Sequence, residues 1–143
     1  MIHRARQWRR RAQTGDGIVQ IDFNNAFNNI SRTAMLQAIS NSFPEFLPYA
    51  LFCYSKPCPL YAGDLEIMSM TGVQQGDPCG PLFFCLTLHP LAKELALVPR
   101  LEQGWFMDDG HLFGAPEATE RAVRIIQSRG PQLGLVKECL LSP

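Results

Sequence analysis

At 143 residues the chain has room for one domain with a sizeable core, and 46% hydrophobic against 18% charged residues exclude a disordered or fibrous polypeptide. Formal charge is zero but unevenly spread. Arg4, Arg6, Arg9, Arg10 and Arg11 crowd the start, and the remainder carries eight basic against thirteen acidic residues, a net of −5. A basic arm ahead of an acidic body suits a protein that meets polyanion at one end and gathers cations at a central site.

A membrane role is not expected. The most apolar run, Pro81 to Leu88, is too short to cross a bilayer, and no signal-peptide pattern opens the chain. The five cysteines (Cys53, Cys58, Cys79, Cys85 and Cys139) form neither a Cys-x-x-Cys pair nor a zinc-like spacing. Their odd number without a secretion signal points to reduced thiols inside a cell, with nucleus and cytoplasm both open.

In chain order, residues 1–16 read as a basic arm or the remnant of a preceding segment. Residues 17–23 alternate as a strand, with Val19, Ile21 and Phe23 on one face and Gln20 and Asp22 on the other. Asn24-Asn25 breaks it. Ser31 is suited to N-cap a helix that turns Ala34, Met35, Ala38 and Ile39 inward. Pro44 opens a second helix, with Leu47, Ala50, Leu51 and Tyr54 on one stripe, and Pro57 and Pro59 end it.

Leu60 to Ala62 and Leu65 to Met68, joined by Gly63-Asp64, predict a hairpin. The polar loop from Thr71 to Pro78 delivers the chain into a helix from about Gly80 to Leu97. That helix is apolar nearly all round its first half and should be buried, with a bend at Pro90. A second hairpin follows, its turn expected at Asp109-Gly110 because Gly accepts a positive φ. A helix from Pro116 to Gly130 turns Ala118, Ala122, Ile125 and Ile126 inward, and Leu133 to Leu141 offers a last strand. This order predicts an α+β fold, an antiparallel sheet backed by helices on one face, with Asp22 on the other.

If the strand ending at Asp22 lies beside the hairpin carrying Asp108-Asp109, three carboxylates meet at one end of the open face. Crowding them is unfavourable unless cations sit between. Oxygen-only ligands of high negative charge favour Mg²⁺, and two such ions a few ångströms apart clamp an in-line phosphoryl transfer. On chemistry alone, polymerase, nuclease and phosphatase all remain open.

Three stretches carry a resemblance. Asp22-Phe23-Asn24-Asn25-Ala26-Phe27-Asn28, with Arg32 beyond, resembles the first catalytic motif of reverse transcriptases from non-LTR retrotransposons and related retroelements. Gly72-Val73-Gln74-Gln75-Gly76-Asp77-Pro78-Cys79-Gly80-Pro81-Leu82 is similar to their second palm motif, and Phe106-Met107-Asp108-Asp109-Gly110 to the third. The resemblance runs from Gly17 to Gly114, with a weaker tail to Leu141.

It implies a polymerase palm over residues 17–143, lacking a thumb, from a larger retroelement polyprotein. Asp22, Asp108 and Asp109 would be the catalytic residues, binding two Mg²⁺ ions for which Mn²⁺ can substitute. A primer 3′-hydroxyl would attack the α-phosphorus of a dNTP on an RNA or DNA template. Phe23, Phe27, Gln75 and Gly76 would contact the nucleotide, Phe27 as a steric gate against a 2′-hydroxyl. For Asp77 the reading is an N-cap of the following helix.

The chain departs from the family in two places. Phe106 stands where a Tyr is common, and Val136-Lys137 follows Gly134-Leu135 without the family's usual spacing. Lys137 is therefore the candidate general acid for departing pyrophosphate, in an altered register. Arg32 reads equally as a phosphate contact or a surface charge, and His89, His111, Trp105 and Phe113 as non-catalytic. The rivals are an RNA-copying RNA polymerase palm, against which Phe27 argues, and an inactive remnant that folds or binds nucleic acid. Primer extension by the isolated chain is expected to be poor.

Overall fold

The computed structural model describes residues 2–74, 76–135 and 137–141. Its frame is a four-stranded antiparallel sheet in the order β4-β5-β1-β6, made of β1 (Gly17–Phe23), β4 (Leu101–Phe106), β5 (Asp109–Gly114) and β6 (Lys137–Leu141). β1 pairs with β5 over Gly17↔Gly114 to Ile21↔Gly110, and with β6 over Val19↔Leu141 to Phe23↔Lys137. The expected alternation holds: Val19, Ile21 and Phe23 are buried, and Gln20 and Asp22 are half-exposed.

Helices α3 (Arg32–Ser42), α5 (Gly80–Leu95) and α6 (Pro116–Arg129) supply the other wall of the core. Met35, Ile39, Phe83, Phe84, Leu88, Leu91, Ala122 and Ile126 pack there with Ile21, Phe23 and Leu112. Burying each large apolar side chain contributes about 1.5–3 kcal/mol, so this shared face is what holds the layers together. Ser31 caps α3 as expected, its Oγ accepting from the Ala34 N–H at 3.3 Å. Together these features make the α+β fold with helices on one face of an antiparallel sheet.

Several expectations are corrected. α5 is buried along one face only; Leu82 and Cys85 on its other side are exposed. The second helix begins as a 3₁₀ turn, Pro44–Phe46, before α4 (Leu47–Tyr54). Its inward residues are Ala50, Tyr54 and the half-buried Leu47, and Leu51 stands 42% exposed because two turns cannot wrap a wider stripe around the core. A single helical turn, α2 (Ala26–Asn29), fills the break after β1, which Asn25 opens at φ 48°. α6 does end at Gly130, with right-handed φ −52°, and the chain runs straight on through a 3₁₀ turn that Gly134 closes at φ 77°.

Two further elements lie outside the main sheet. β2 (Cys58–Ala62) and β3 (Leu65–Ser69) form a separate ribbon around Gly63-Asp64, with Leu60, Tyr61, Leu65 and Ile67 exposed. α1 (Ile2–Arg9) docks through Trp8, 7% exposed, whose ring lies 5.3 Å from that of Phe113. Phe113 points away from the helical core, so α1 covers one end of the face expected to be open. Among the described residues no helix is long and apolar enough to cross a membrane.

Candidate active site

The hairpin carrying Asp108 and Asp109 turns two residues earlier than expected. Phe106 pairs with Asp109, which makes Met107-Asp108 the two-residue turn. Met107, not Gly110, carries the positive φ, at 54°. Gly110 lies within β5, and its missing side chain has a different reason. The Trp105 ring crosses the strand over it, where any Cβ would collide, and lies parallel to the Phe23 ring at 6.2 Å. Trp105 Nε1 donates to Gln103 Oε1 at 2.7 Å, and Gln103 Nε2 donates to the Ala92 carbonyl of α5 at 2.7 Å. The turn is thus braced from beneath by aromatic packing and one amide.

Above it, strand alternation sorts the carboxylates. His111 opposes Gln20 and Asp109 lies two residues before His111, so Asp109 shares the face of Gln20 and Asp22. One further step of that register sets Asp22 beside Asp109, with Asp108 in the adjoining turn. Asp22 and Asp108 are half-exposed, Asp109 exposed, and Phe106 beside them is 64% exposed. Among the described residues none of the three accepts a hydrogen bond or forms an ion pair.

Asp108 reaches the wall of a cleft of about 230 Å³ that Asn25, Phe27, Asn28, Val73 and Gln74 also line. Phe27 is half-buried and stacked on Phe84, centroids 4.5 Å apart, so its ring is a fixed part of that cleft. Phe23 turns the other way. Its ring is 2% exposed, in the core. Gly76 is exposed at φ 93°, in the loop beyond Gln74. Gln75 and the Lys137 side chain lie outside the described residues; the Lys137 backbone pairs with Phe23 at the end of β1 nearest the carboxylates.

Opposite the turn, the loop from Thr71 to Asp77 is held by groups that local sequence patterns did not reveal. Gly72 N–H donates to the Ile30 carbonyl at 2.9 Å, Val73 N–H to Phe27 at 2.8 Å, and Thr71 Oγ1 to Asn28 at 2.9 Å. Arg32 is neither a phosphate contact nor a surface charge. At 8% exposure it donates to the carbonyls of Gly72 (3.0 Å) and Ser69 (2.9 Å) and to Ser69 Oγ (2.8 Å). Its guanidinium sits 5.4 Å from the Tyr54 ring centroid, a cation–π contact that helps offset burial of the charge.

The Tyr54 hydroxyl in turn accepts from Gln74 N–H at 3.2 Å and donates to Asp77 Oδ2. Tyr49 donates to Asp77 Oδ1 at 3.0 Å, and Asp77 Oδ1 also accepts from Cys79 N–H at 2.8 Å. Asp77 therefore ties the loop together two residues ahead of the Cys79 N-cap position of α5. Burial first, and the Asp77 hydrogen bond second, push the Tyr54 hydroxyl above the ordinary tyrosine pKa. Tyr49 is raised as well, by hydrogen bonding to Cys53 first and Asp77 second. Tyr rather than Phe on a buried stripe was the signal that a hydroxyl partner existed.

As a metal centre the site has suitable donors without a finished cage. Among the described residues no three His, Cys, Asp or Glu side chains converge to hold an ion. Mg²⁺ does not require that: it keeps several waters and is commonly bound by one or two carboxylates plus substrate phosphates. Unpartnered carboxylates on one face and at one strand end fit such a group.

No family model matches the chain, and no curated protein matches it in sequence. Solved structures match it in three dimensions. The apo telomerase from Candida tropicalis truncated from its C-terminal domain superposes with TM-score 0.72 at 11% identity, over 99% of this chain and 35% of that one. The telomerase from Candida albicans in complex with a TWJ fragment of telomeric RNA gives TM-score 0.65 at 10% identity, over 99% and 29%. The chain spans about a third of the length of these structures. At such identity the likeness is one of fold: a distant reverse-transcriptase-like, palm-like α+β architecture.

Proposed function

We propose that the chain is the palm of an RNA-directed DNA polymerase of a retroelement, which transfers a nucleotide from a dNTP to a primer 3′-hydroxyl. The observation that carries this reading is the pairing of β1 with β5, which brings Asp22 and Asp109 to one end of one face with Asp108 in the turn between β4 and β5. Asp22, Asp108 and Asp109 would hold two Mg²⁺ ions, with Mn²⁺ as a substitute. When bound, the ions supply an acidified primer hydroxyl and charge neutralisation at the leaving phosphate.

The chain's own residues do the rest. Phe27, fixed against Phe84, would present a flat wall to a sugar in the cleft and act as the gate against a 2′-hydroxyl. Val73, Gln74 and the unobstructed Gly76 bring backbone close to a nucleotide or template. The partners are a primed RNA or DNA template, a dNTP and the rest of a larger polyprotein.

A second reading is an inactive remnant that still folds and binds nucleic acid. One comparison separates the two. With the chain in its full-length parent, dNMP incorporation on a primed RNA template is expected to depend on Mg²⁺ and to fall by about 10²–10³-fold in Asp108→Asn. Equal incorporation by the variant would remove the metal assignment, and none by the unaltered protein would leave the remnant.

A further inference from the structure

α1 holds the sheet with its tryptophan and turns Arg6 and Arg9 outward. Trp8 packs on Phe113, Arg11 reaches Glu102 at 3.3 Å, and Arg100 reaches Gln13 at 2.7 Å. Phe113 and Glu102 oppose one another in the β4–β5 register, on the face that carries Asp22 and Asp109 at its other end. Arg6, Arg9 and Arg10 are exposed and, among the described residues, take no carboxylate partner. At about 100° per residue, Arg6 and Arg10 project opposite Trp8 and Arg9 from the flank, Arg10 lying in the turn that ends the helix.

We propose that this arginine ridge is a contact surface for the phosphate backbone of a nucleic-acid duplex lying along the sheet between α1 and the carboxylates. Charge complementarity selects the partner. The chain beyond Arg11 has a net charge of −5, so a polyanion gains at the ridge and little elsewhere. Arginine's planar fork matches phosphate oxygens in pairs. An anionic membrane is the poorer fit, because the large apolar side chain described on α1, Trp8, is already buried against Phe113 and has nothing to insert.

The spacing is consistent with this path. Phe113 and Asp109 lie four residues apart on β5, roughly 13 Å at strand rise and about four phosphate steps of one duplex strand. A strand whose end met the carboxylates would bring its backbone to α1 within a few nucleotides. The direction of the path rests on the polymerase reading; the contact at the ridge does not.

The test is anisotropy of a labelled duplex of about 20 base pairs, DNA–DNA and DNA–RNA, titrated with the full chain at several salt concentrations. Replacing Arg6, Arg9 and Arg10 together by Ala should weaken binding and make the slope of log K against log salt shallower by about 2–3, roughly 0.9 for each phosphate left unneutralised. The triple Lys variant should keep most of the slope, which excludes a folding defect as the cause. The readout is binding and not incorporation, so failure of the catalytic reading leaves this result standing. The proposal is overturned if the triple Ala variant keeps affinity and slope, if the unaltered chain binds neither duplex, or if it binds anionic-lipid vesicles in preference to both.

Discussion

Two connections meet at the cleft, and they are built on opposite terms. The loop from Thr71 to Asp77 is held, among its described residues, by many bonds: backbone to α2, a buried guanidinium across Gly72 and Ser69, and two tyrosine hydroxyls on Asp77. The Met107-Asp108 turn has a non-glycine residue at positive φ and carboxylates with no partner among the described residues. Both contain aspartates, yet Asp77 is satisfied from within while Asp22, Asp108 and Asp109 face outward. A protein that uses acidic residues for architecture surrounds them with donors; one that reserves them for a ligand leaves them solvated. The difference separates a hydrogen-bonded side of the cleft from a solvated, acidic one.

The largest break in that contrast should come at Gly72. It sits at φ 73°, and a Cβ there would run into the Asn28 backbone, which belongs to the same zipped layer and cannot step aside. Gly72→Ala combines left-handed strain with a steric collision, an expected loss of about 2–5 kcal/mol. Urea denaturation measures it directly. A loss below about 1 kcal/mol would mean the loop is not clamped to α2 as described.

The strands of the main sheet were legible because they rest on short-range patterns, whereas the pairing of β1 with β5 entered only as a supposition and that of β1 with β6 not at all. Alternation in residues 17–23 named the inward side chains, and the paired aspartates suggested which strand lay beside them. The turn position was misread because Asp109-Gly110 carries a strong local signal, whereas Gly110 is required by something no turn rule contains: the Trp105 ring crossing from β4. Arg32 was illegible for a related reason. In a first helical turn an arginine reads as a surface charge, and the carbonyls that hold it, at Ser69 and Gly72, come from about forty residues further on. Gln74 lines the cleft, and its neighbour Gln75, to which the resemblance gives the nucleotide contact, lies outside the described residues.

A smaller effect sharpens the hydrogen-bonded side. Tyr54→Phe keeps the ring beneath Arg32 and removes only the hydroxyl between Gln74 N–H and Asp77, an expected cost of about 1–2 kcal/mol. Its pH dependence is diagnostic. The hydroxyl's pKa is raised in the folded state, so its contribution is complete below the unfolded value near 10 and is lost as pH rises through the folded one. The stability gap between wild type and Tyr54→Phe should therefore be constant from about pH 7 to about 9.5 and narrow above about pH 10. A gap that narrows well below about pH 9 would place the controlling group elsewhere.

The smallest effect belongs to the turn. Met107 holds φ 54° without a glycine's freedom, which for an L-residue costs about 1–2 kcal/mol. Met107→Gly removes that strain but adds chain entropy to the unfolded state, about 0.5–1 kcal/mol, and gives up the partial packing of the Met side chain on the core. The terms nearly cancel, so stability should change by no more than about 0.5 kcal/mol, far less than at Gly72. The same substitution should nonetheless loosen the setting of Asp108, because glycine admits turn conformations that methionine does not. Amide exchange at Asp108 and Asp109 is expected to quicken while that at Val73 and Gln74 stays slow. If both sides of the cleft quickened together, turn and loop would be one mechanical unit, and the division into a hydrogen-bonded and an acidic side would fail.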